Sequence, residues 1–408
     1  MSQLKQVSRR NFIQRMAATG TAGVAVPYFI PALALGQAGE PGANDKIGLG
    51  IIGCGGMGRA NLNACASRSD VVVRGACDVW KARRDAVVKQ YPTAKAYHDY
   101  QEMLQAPDID AVIIATPPHW HCLMAVEACA AGKDIYLQKP MTLHAGESLV
   151  VRNAVRRHKR ICQIGTQIHA GQNYRRVVEY IRSGKLGAIS VARTFNVMNQ
   201  GPAGLGDVPN SDAPAEIDWD LWVGPAAMRP YNRLIVHDAY TNCSFMGFSG
   251  GWTPGMAPHI VDLPIWALDL GYPESTYCSG GRYVITDAGD VPDVQEVLWQ
   301  YPNFTLTWMM SMVTSFAFDF GRGTPARRLG IYFHGTNGTL FSDYGKHEIV
   351  PEGERLKGGE APEKSIPPSP GHEKEWLDCI RTRKQPSCNA DYHCRIDMAI
   401  NLANLSMK

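Results

Sequence analysis

The chain has 408 residues, of which 45% are hydrophobic and 19% are charged. A chain of this length buries a large core and is too long for one ordinary domain, so two domains are expected. The formal net charge of +3 is near zero for this size, and no run of basic residues interleaved with aromatic ones follows the first 15 residues, which argues against a nucleic-acid partner.

The N-terminus has the pattern of a targeting segment. Residues 1–36 contain the pair Arg9 and Arg10, then Phe12 and a mild apolar stretch that ends in small residues. This pattern resembles the twin-arginine export signal, and an ordinary secretory signal or a membrane anchor is the alternative. We therefore expect a periplasmic protein that is exported folded, with residues 37–45 as a linker and no membrane span once the signal is removed.

From residue 46 onward, apolar runs alternate with amphipathic segments. The runs KIGLGIIGCG, VVVRGACDV, AVIIATPP and DIYLQ predict strands, and RANLNACAS and HCLMAVEACAAGK predict helices. Strands and helices that alternate at this spacing indicate a parallel sheet covered on both faces.

The first of these strands ends in a G-x-G-x-x-G loop, GCGGMG at residues 53–58. Gly53 permits the tight turn, Gly55 lets the backbone approach a pyrophosphate, and Gly58 lets the next helix pack on the strand. The N-terminus of that helix supplies N–H donors to the phosphates. We expect these three glycines and Met57 to contact a dinucleotide.

An aspartate follows the glycine loop at the sequence spacing that is typical of dinucleotide-binding folds. Asp78 lies 20 residues after Gly58, at the end of the second strand, where it would accept hydrogen bonds from an adenosine ribose diol. It would repel a 2′-phosphate, so NAD is favoured over NADP, although basic residues between 81 and 84 leave NADP open. A glycine-rich turn with a surface aspartate is the structural alternative. Residues 46–165 are therefore predicted to form a Rossmann NAD(P)-binding domain.

The pattern changes from residue 166 onward. The runs ISVARTFNVM, VLWQYPNFTLTWMMS and RLGIYFHGTNGTLFSD alternate apolar and polar residues and are joined by turns rich in Gly and Pro. Alternation of this kind indicates antiparallel strands with one solvated face. We therefore predict an α/β protein in which residues 166–408 form a second α/β domain with a large open, mostly antiparallel sheet.

Two longer stretches carry a family resemblance, AVIIATPPHWHCLMAVEACAAGKDIYLQKPM and GWTPGMAPHIVDLPIWAL. With the glycine loop, they resemble the Gfo/Idh/MocA family of NAD(P)-dependent oxidoreductases, which act mainly on sugars and cyclitols. The resemblance implies a carbohydrate substrate and an open C-terminal sheet that often forms an oligomer interface, hence a homo-oligomer, either a dimer or a tetramer. The family also contains exported twin-arginine members that keep their NAD tightly bound.

The resemblance also assigns roles to individual residues. Thr116, Pro117 and His121 match the loop that flanks the nicotinamide side of the dinucleotide. Lys139 matches the lysine of the E-K-P motif, and Gln138 replaces the usual glutamate beside it. A neutral amide at this position removes a negative charge next to the lysine, so we expect a lower pKa for Lys139 than in relatives.

His259 and Asp262 match the H-x-x-D pair of the family. Gly255 and Ala257 depart from it, because many members have an aspartate and a glycine there, so substrate orientation is expected to differ. His259 is predicted to lie in the first turn of a helix, where the helix dipole disfavours the imidazolium. A helix-capping histidine and a structural aspartate are the alternative.

Hydride transfer from a carbinol requires loss of the hydroxyl proton. Lys139 follows a parallel strand, and ligands bind beyond the carboxyl ends of such strands, although lysines after strands commonly reach solvent instead. An ammonium stabilises the developing alkoxide and a neutral imidazole accepts the proton. Lys139 and His259 are therefore the candidates for these two tasks, with Asp262 as the third catalytic residue.

Five further residues are candidates for the site. Gln167 follows a strand end in the same sheet and is predicted to contact the cofactor. His169, Arg175, Trp222 and His237 are predicted to contact the substrate; an exposed helical arginine and a core tryptophan are the ordinary alternatives. No metal is expected, because the 12 histidines are scattered and lack a cluster of ligand partners.

Three functions remain open on the sequence. The first is an oxidoreductase acting on a hydroxyl of a sugar, a sugar derivative or a cyclitol, with a tightly held cofactor because a free NAD pool is not expected in the periplasm. The second is a glycoside hydrolase that oxidises a hydroxyl transiently, eliminates the aglycone and returns the hydride. The third is a sugar-binding protein that has lost the chemistry, although the lysine and the H-x-x-D pair are both present.

Overall fold

A computed structural model of the protein describes residues 45–318, 328–356 and 362–407. The predicted signal and nearly all of the linker therefore lie outside the described residues. From Ile47 onward the chain forms one compact unit. Within the described ranges, no helix is long and apolar enough to cross a membrane.

A six-stranded sheet forms the N-terminal part of this unit. Its strands are β1 (Ile47–Ile52), β2 (Val71–Cys77), β3 (Lys95–Tyr97), β4 (Ala111–Ile114), β5 (Asp134–Leu137) and β6 (Cys162–Ile164). They pair in the order β3-β2-β1-β4-β5-β6, and every pairing is parallel. The order reverses between β1 and β4, so a crevice opens there beyond the carboxyl ends of the strands. The predicted Rossmann fold is confirmed.

Helices cover both faces of this sheet. They are α1 (Gly56–Ala66), α2 (Lys81–Gln90), α3 (Tyr100–Leu104), α4 (His121–Ala130) and α5 (Ala145–His158). Every residue of β1, β4 and β5 is buried. Strands covered on both faces must be apolar throughout, which explains why these segments appear as continuous apolar runs in the sequence.

A seven-stranded sheet forms the C-terminal part. Its strands are β7 (Ile189–Val197), β8 (Ser275–Gly281), β9 (Val294–Tyr301), β10 (Phe304–Ser311), β11 (Leu329–Gly335), β12 (Gly338–Ser342) and β13 (His347–Pro351). They pair in the order β13-β12-β11-β7-β10-β9-β8. All pairings are antiparallel except the central one between β7 and β10. The prediction of a mostly antiparallel sheet is confirmed.

The remaining helices lie around and between the two sheets. They are α6 (Gln172–Arg182), α7 (Trp219–Val223), α8 (Arg233–His237), α9 (Ala239–Asn242), α10 (Met246–Ser249), α11 (Trp252–Ala267), α12 (His372–Thr382) and α13 (Ala390–Met407). The inner face of the second sheet packs on α11 and α13. The indole N–H of Trp299 donates to the Ala399 carbonyl at 2.8 Å, and that of Trp308 donates to the Thr253 hydroxyl at 2.9 Å.

Helix α12, although it lies in the C-terminal part of the chain, packs against the Rossmann part. Trp376 and Leu377 are fully buried in the same apolar cluster as Leu62 of α1. Asn61 of α1 also donates to the Glu373 carboxylate at 2.9 Å. The end of the chain therefore returns to the Rossmann part, an arrangement that the sequence division at residues 165 and 166 did not predict.

Candidate functional site

A well-formed cavity of about 670 Å³ lies in the crevice of the first sheet. Its walls come from loops that follow β1, β2, β4 and β5 and from residues 221–255. The predicted residues that line it are Gly53, Gly55, Met57, Asp78, Thr116, Pro117, Gln138, Lys139, Trp222 and His237. Ligands of open parallel sheets bind at this position, so the topology alone makes the cavity a nucleotide site.

The glycine loop can accept a dinucleotide because its glycines have no Cβ atoms. Gly53 has a φ of 92°, which side chains rarely adopt, and a Cβ on Gly58 would lie 2.0 Å from the Gly53 carbonyl oxygen. A Cβ on Gly55 would meet only the Arg83 guanidinium, at 3.7 Å, and one on Gly56 would meet no atom within 4 Å. The backbone N–H groups at the start of α1 are therefore open to the cavity, as close approach of a pyrophosphate requires.

Asp78 lies at the ribose end of the groove. Its carboxylate accepts from the backbone N–H groups of Cys54 and Trp80, both at 2.8 Å. Burial raises the pKa of Asp78, and the nearby Arg83 opposes that shift. The Arg83 guanidinium lies 4.2 Å from the Trp80 ring centroid and donates to the Val236 carbonyl at 2.7 Å. The Asp78 carboxylate can accept hydrogen bonds from the adenosine ribose diol of NAD, and the Arg83 guanidinium lies near it.

His121 does not line the cavity and instead forms hydrogen bonds to the loops that follow β4 and β5. Its Nδ1 lies 2.8 Å from the Pro140 carbonyl oxygen and its Nε2 lies 2.8 Å from that of Thr116. The ring is completely buried, and this burial lowers the pKa of His121 to about 4. The structure therefore gives His121 a different place from the predicted cofactor contact: it fixes the loops that present Thr116 and Lys139.

Lys139 lies at the floor of the cavity, where its Nζ donates to the Gly255 carbonyl at 2.8 Å. Burial lowers the pKa of Lys139. Gln138 is turned away from the amine, because its Nε2 donates to the Asn61 side-chain oxygen at 2.7 Å. Its Oε1 accepts from the Lys139 backbone N–H at 3.1 Å. Gln138 thus holds the backbone that carries the lysine.

The prediction that His259 lies in a first helical turn is wrong. Helix α11 begins at Trp252, so His259 is about two turns inside it and Pro258 is internal. His259 is therefore not at the positive end of the helix dipole. Burial is the main cause that lowers the pKa of His259, followed by the charge of Lys139. His259 does not line the cavity, and its buried Nδ1 has no hydrogen-bond partner among the described residues.

Asp262 does not contact His259. Its completely buried carboxylate accepts from His169 Nδ1 at 3.0 Å and from the hydroxyl of Tyr392. The His169 ring stacks on Trp266 with centroids 4.0 Å apart. Neither His169 nor Asp262 lines the cavity. The structure thus places both in a buried structural cluster, apart from the catalytic and substrate contacts predicted for them.

Two other predicted residues lie away from the cavity. Gln167 does not line the cavity, and its amide donates to the Tyr136 hydroxyl at 3.2 Å. Arg175 donates to the Pro367 carbonyl at 2.7 Å and borders a separate hollow of about 470 Å³. In the described residues, no group of three His, Cys, Asp or Glu side chains could hold a metal ion.

A stretch that we term the cover segment, residues 217–249, forms the opposite wall of the cavity. Its core is the stacked pair Trp219 and Trp222, with ring centroids 4.9 Å apart. His119 Nε2 and the Trp120 indole N–H bond to the Trp222 carbonyl at 3.0 and 3.1 Å. The sequence did not predict this role for His119 and Trp120, because nothing local marks a residue as a contact of a segment a hundred positions away.

The fold and the site define a dinucleotide-binding oxidoreductase built from a Rossmann sheet and a second, mostly antiparallel sheet. The chain belongs to the Gfo/Idh/MocA oxidoreductase family. Residues 47–166 match the NAD-binding Rossmann fold of that family, and residues 174–271 match its C-terminal alpha/beta domain. The cofactor of this fold is NAD, and the glycine loop and Asp78 are arranged to hold it.

Individual relatives are more distant. A glycosyl hydrolase family 109 protein of Shewanella baltica is 27% identical over 206 residues, 46% of this chain and 45% of that protein. Inositol 2-dehydrogenase of Salmonella paratyphi B is 32% identical over 141 residues, 34% of this chain and 42% of its own. The chain thus spans less than half the length of these curated relatives.

Among solved structures, the WlbA dehydrogenase of Bordetella pertussis, in complex with NADH and UDP-GlcNAcA, has a similar fold. The TM-score is 0.64 with 17% identity, and the similarity covers 88% of this chain and 96% of that one. Likeness at this level of identity shows the fold alone.

Proposed function

We propose that the protein oxidises or reduces a hydroxyl-bearing carbon of a sugar, a sugar derivative or a cyclitol by hydride transfer. The observation that carries the proposal is the placement of the Lys139 amine in the same cavity as the glycine loop. NAD supplies the hydride acceptor when it is bound. The relatives and the neighbour named above act on, or bind, compounds of this class, which supports the same substrate class here.

Lys139 handles the hydroxyl proton in this proposal. Its burial favours the uncharged amine, which accepts the proton as the O–H bond breaks and the carbon–oxygen double bond forms. The Gly255 carbonyl fixes the amine at 2.8 Å and leaves its remaining hydrogen-bonding capacity for the substrate. The walls of the cavity are mainly apolar, so water is largely displaced when substrate and cofactor are in place.

The test is a panel of sugars and cyclitols, read by NADH absorbance, on the wild-type protein and on Lys139→Met. The variant should lose turnover by a factor of about a hundred or more, as expected for loss of a general base, while NAD binding persists. Lys89→Met is the matched control, because Lys89 is exposed on α2. Equal turnover by Lys139→Met and the wild type would contradict the proposal, and binding of sugars without turnover by the wild type would favour a silent binding protein.

The cofactor is proposed to stay bound between turnovers. The cover segment is fastened to the Rossmann part by the Arg83 bond to Val236, by His98 with Asp218 at 3.0 Å, and by the contacts to Trp222. We infer that these contacts slow the release of a dinucleotide. Mass spectrometry of dialysed protein should therefore detect NAD in stoichiometric amount, and loss of the cofactor within a short dialysis would refute tight retention.

A glycoside hydrolase is the second candidate, and the similarity to glycosyl hydrolase family 109 proteins favours it. A retained cofactor suits this chemistry, because the hydride removed in the first step returns in the last one. Purified protein that cleaves an aryl glycoside without net formation of NADH supports hydrolysis. Accumulation of oxidised sugar, with no release of aglycone, excludes it.

Export by the twin-arginine route is also a proposal, and it rests on the pair Arg9 and Arg10. Cell fractionation should find the wild-type protein in the periplasm. Replacing both arginines with lysine should retain it in the cytoplasm, whereas Lys5→Arg should not. Periplasmic accumulation of the double-lysine variant would contradict this route.

We further propose a homo-oligomer that forms through the second sheet. The outward row of side chains crosses all seven strands, from Tyr277 and Leu298 to Glu348. Tyr277 and Leu298 face each other on paired strands, and their side chains are 66% and 41% exposed. Exposed apolar side chains that lie together in this way can mark an interaction surface. Light scattering should show a dimer or a tetramer, and Leu298→Glu with Tyr277→Lys should shift it toward the monomer.

A further inference from the structure

The surroundings of the Lys139 amine lack the acidic partner that the family pattern would supply. Position 138 carries an amide that is bonded to Asn61, and position 255 carries no side chain. Among the described residues, no carboxylate forms an ion pair with Lys139, and the Nζ donates to the Gly255 carbonyl. A buried amine without a counter-charge requires another polar neighbour, or it remains uncharged.

The sulfur of Cys243 occupies the space in front of Gly255. A Cβ added to Gly255 would lie 2.8 Å from Cys243 Sγ, which is closer than real contacts allow. A side chain at position 255 therefore requires the Cys243 thiol to move from its present position. Cys243 follows α9 and lines the same cavity as Lys139 and Gly255, so the thiol lies where an aspartate at position 255 would extend.

On the proposed function, we propose that Cys243 replaces the missing carboxylate beside Lys139 and so sets the protonation of that lysine during catalysis. A thiol is a much weaker acid than a carboxyl group and carries no charge at neutral pH in an apolar site. Lys139 beside a neutral thiol stays uncharged more readily than Lys139 beside a carboxylate. The proton of the substrate hydroxyl can then pass to the amine directly.

The other titratable groups near the pair leave this reasoning intact. His259 and His121 face Lys139, and burial lowers the pKa of both rings, so neither carries charge at neutral pH. Asp238 faces the thiol and raises the pKa of Cys243, while Lys139 lowers it and burial raises it most. Burial is the main cause that acts on Lys139 and lowers its pKa, whereas a charged Cys243 thiolate acts in the opposite direction and raises it. The two side chains therefore titrate together.

Thiol alkylation tests this coupling without any assay of turnover. Nine of the eleven cysteines are buried, and only Cys122 and Cys243 are partly exposed. Iodoacetamide labelling followed by peptide mass spectrometry gives the rate at each of them. Lys139→Met should slow the labelling of Cys243 several-fold at mildly alkaline pH, because the wild-type amine can take up the thiol proton and pair as an ammonium with the thiolate, which lowers the pKa of Cys243, and the variant has no such group. The rate at Cys122, on the outer helix α4, should not change.

An unchanged rate at Cys243 in Lys139→Met would overturn the proposal, whatever the substrate proves to be. Bound NAD should also protect Cys243 and leave Cys122 reactive; equal labelling of Cys243 with and without NAD would place the thiol away from the site. These two readouts stand even if no sugar of the panel is turned over, so failure of the proposed function and failure of this proposal are distinguishable.

The kinetic arm uses the pH profile of kcat/KM. Cys243→Asp should move the acid limb, the pH at which Lys139 loses its proton, upward by about one pH unit or more, as a nearby carboxylate does for a cation. Gly255→Asp combined with Cys243→Ala should do the same, since the alanine frees the space for the new side chain. Cys243→Ser preserves the size of the side chain and should keep the acid limb at or below its wild-type position. Profiles that coincide for all variants would show a thiol with a packing role only and would overturn the proposal.

Discussion

Replacing Asp397 with asparagine should remove a pH dependence of stability that the wild-type protein shows below neutrality. Asp397 lies on α13, yet its buried carboxylate holds the residues that follow Lys139. One oxygen accepts from the Met141 N–H at 3.0 Å, and the other accepts from the Thr142 N–H at 3.1 Å. The hydroxyls of Thr142 and Ser148 donate to the second oxygen at 2.6 and 2.7 Å.

Despite these donors, burial raises the pKa of Asp397 to about 6. In the unfolded chain an aspartate titrates at a pKa of about 3.9. Between these two values the native state binds a proton that the unfolded state does not, so the contribution of Asp397 to stability grows as the pH falls and is lost as the pH rises through about 6. Linkage gives a gain on the order of 1 kcal/mol between pH 7.5 and pH 5.

The assay is urea unfolding of the wild type and of Asp397→Asn at those two pH values. All other titrating groups are common to both proteins, so the difference between their pH responses isolates Asp397. Asp391→Asn is the control, because Asp391 lies on the same helix with an exposed side chain. Equal pH responses of the wild type and Asp397→Asn would show that the carboxyl titrates alike in both states and would refute the reasoning.

Two further predictions concern the cofactor. Gly58→Ala should weaken NAD binding by about tenfold or more, because the new Cβ would lie 2.0 Å from the Gly53 carbonyl oxygen. The control is Gly56→Ala, whose new Cβ meets no atom within 4 Å, so this variant should bind NAD as the wild type does. Calorimetric titration with NAD measures both affinities, and equal affinities of the two variants would contradict this prediction. Asp78→Ala should narrow the preference for NAD over NADP, because Arg83 remains beside the ribose end, and an unchanged affinity ratio of the two cofactors would show that Asp78 does not set the preference.

The strands were predictable because their signals are local. The run IGLGII of β1 is buried at all six positions, and a continuous apolar run is what a strand covered on both faces requires. The run VLWQYPNFTLTWMMS gives the hairpin of β9 and β10, with Asn303 at a φ of 65° in the turn. The parallel pairing of β7 with β10 was not predictable, since strands more than a hundred residues apart carry no local mark of their neighbour.

The start of α11 shows how a local signal can mislead. Pro258 suggested a helix start, because proline favours the first turn, but the helix begins at Trp252 after Gly251, whose φ is 93°. The partner of Asp262 was equally hidden. His169 lies 93 positions away in sequence, and tertiary packing brings the two together where the i, i+3 spacing had pointed to His259.

The cover segment has a consequence for the order of events in catalysis. The Arg83 bond to Val236 and the Trp222 contacts tie residues 217–249 to the Rossmann part, and the proposed retention of the cofactor rests on them. Chemistry within the cavity requires none of these contacts to open. When release is slower than chemistry, the reduced cofactor must return its hydride before it leaves. The cavity of about 670 Å³ must then admit the second reactant, or retain the first product, beside Lys139. If the proposed retention holds, both the two-substrate oxidoreductase and the redox-neutral hydrolase satisfy this condition, whereas a dehydrogenase that exchanges NAD in every turnover would require faster release.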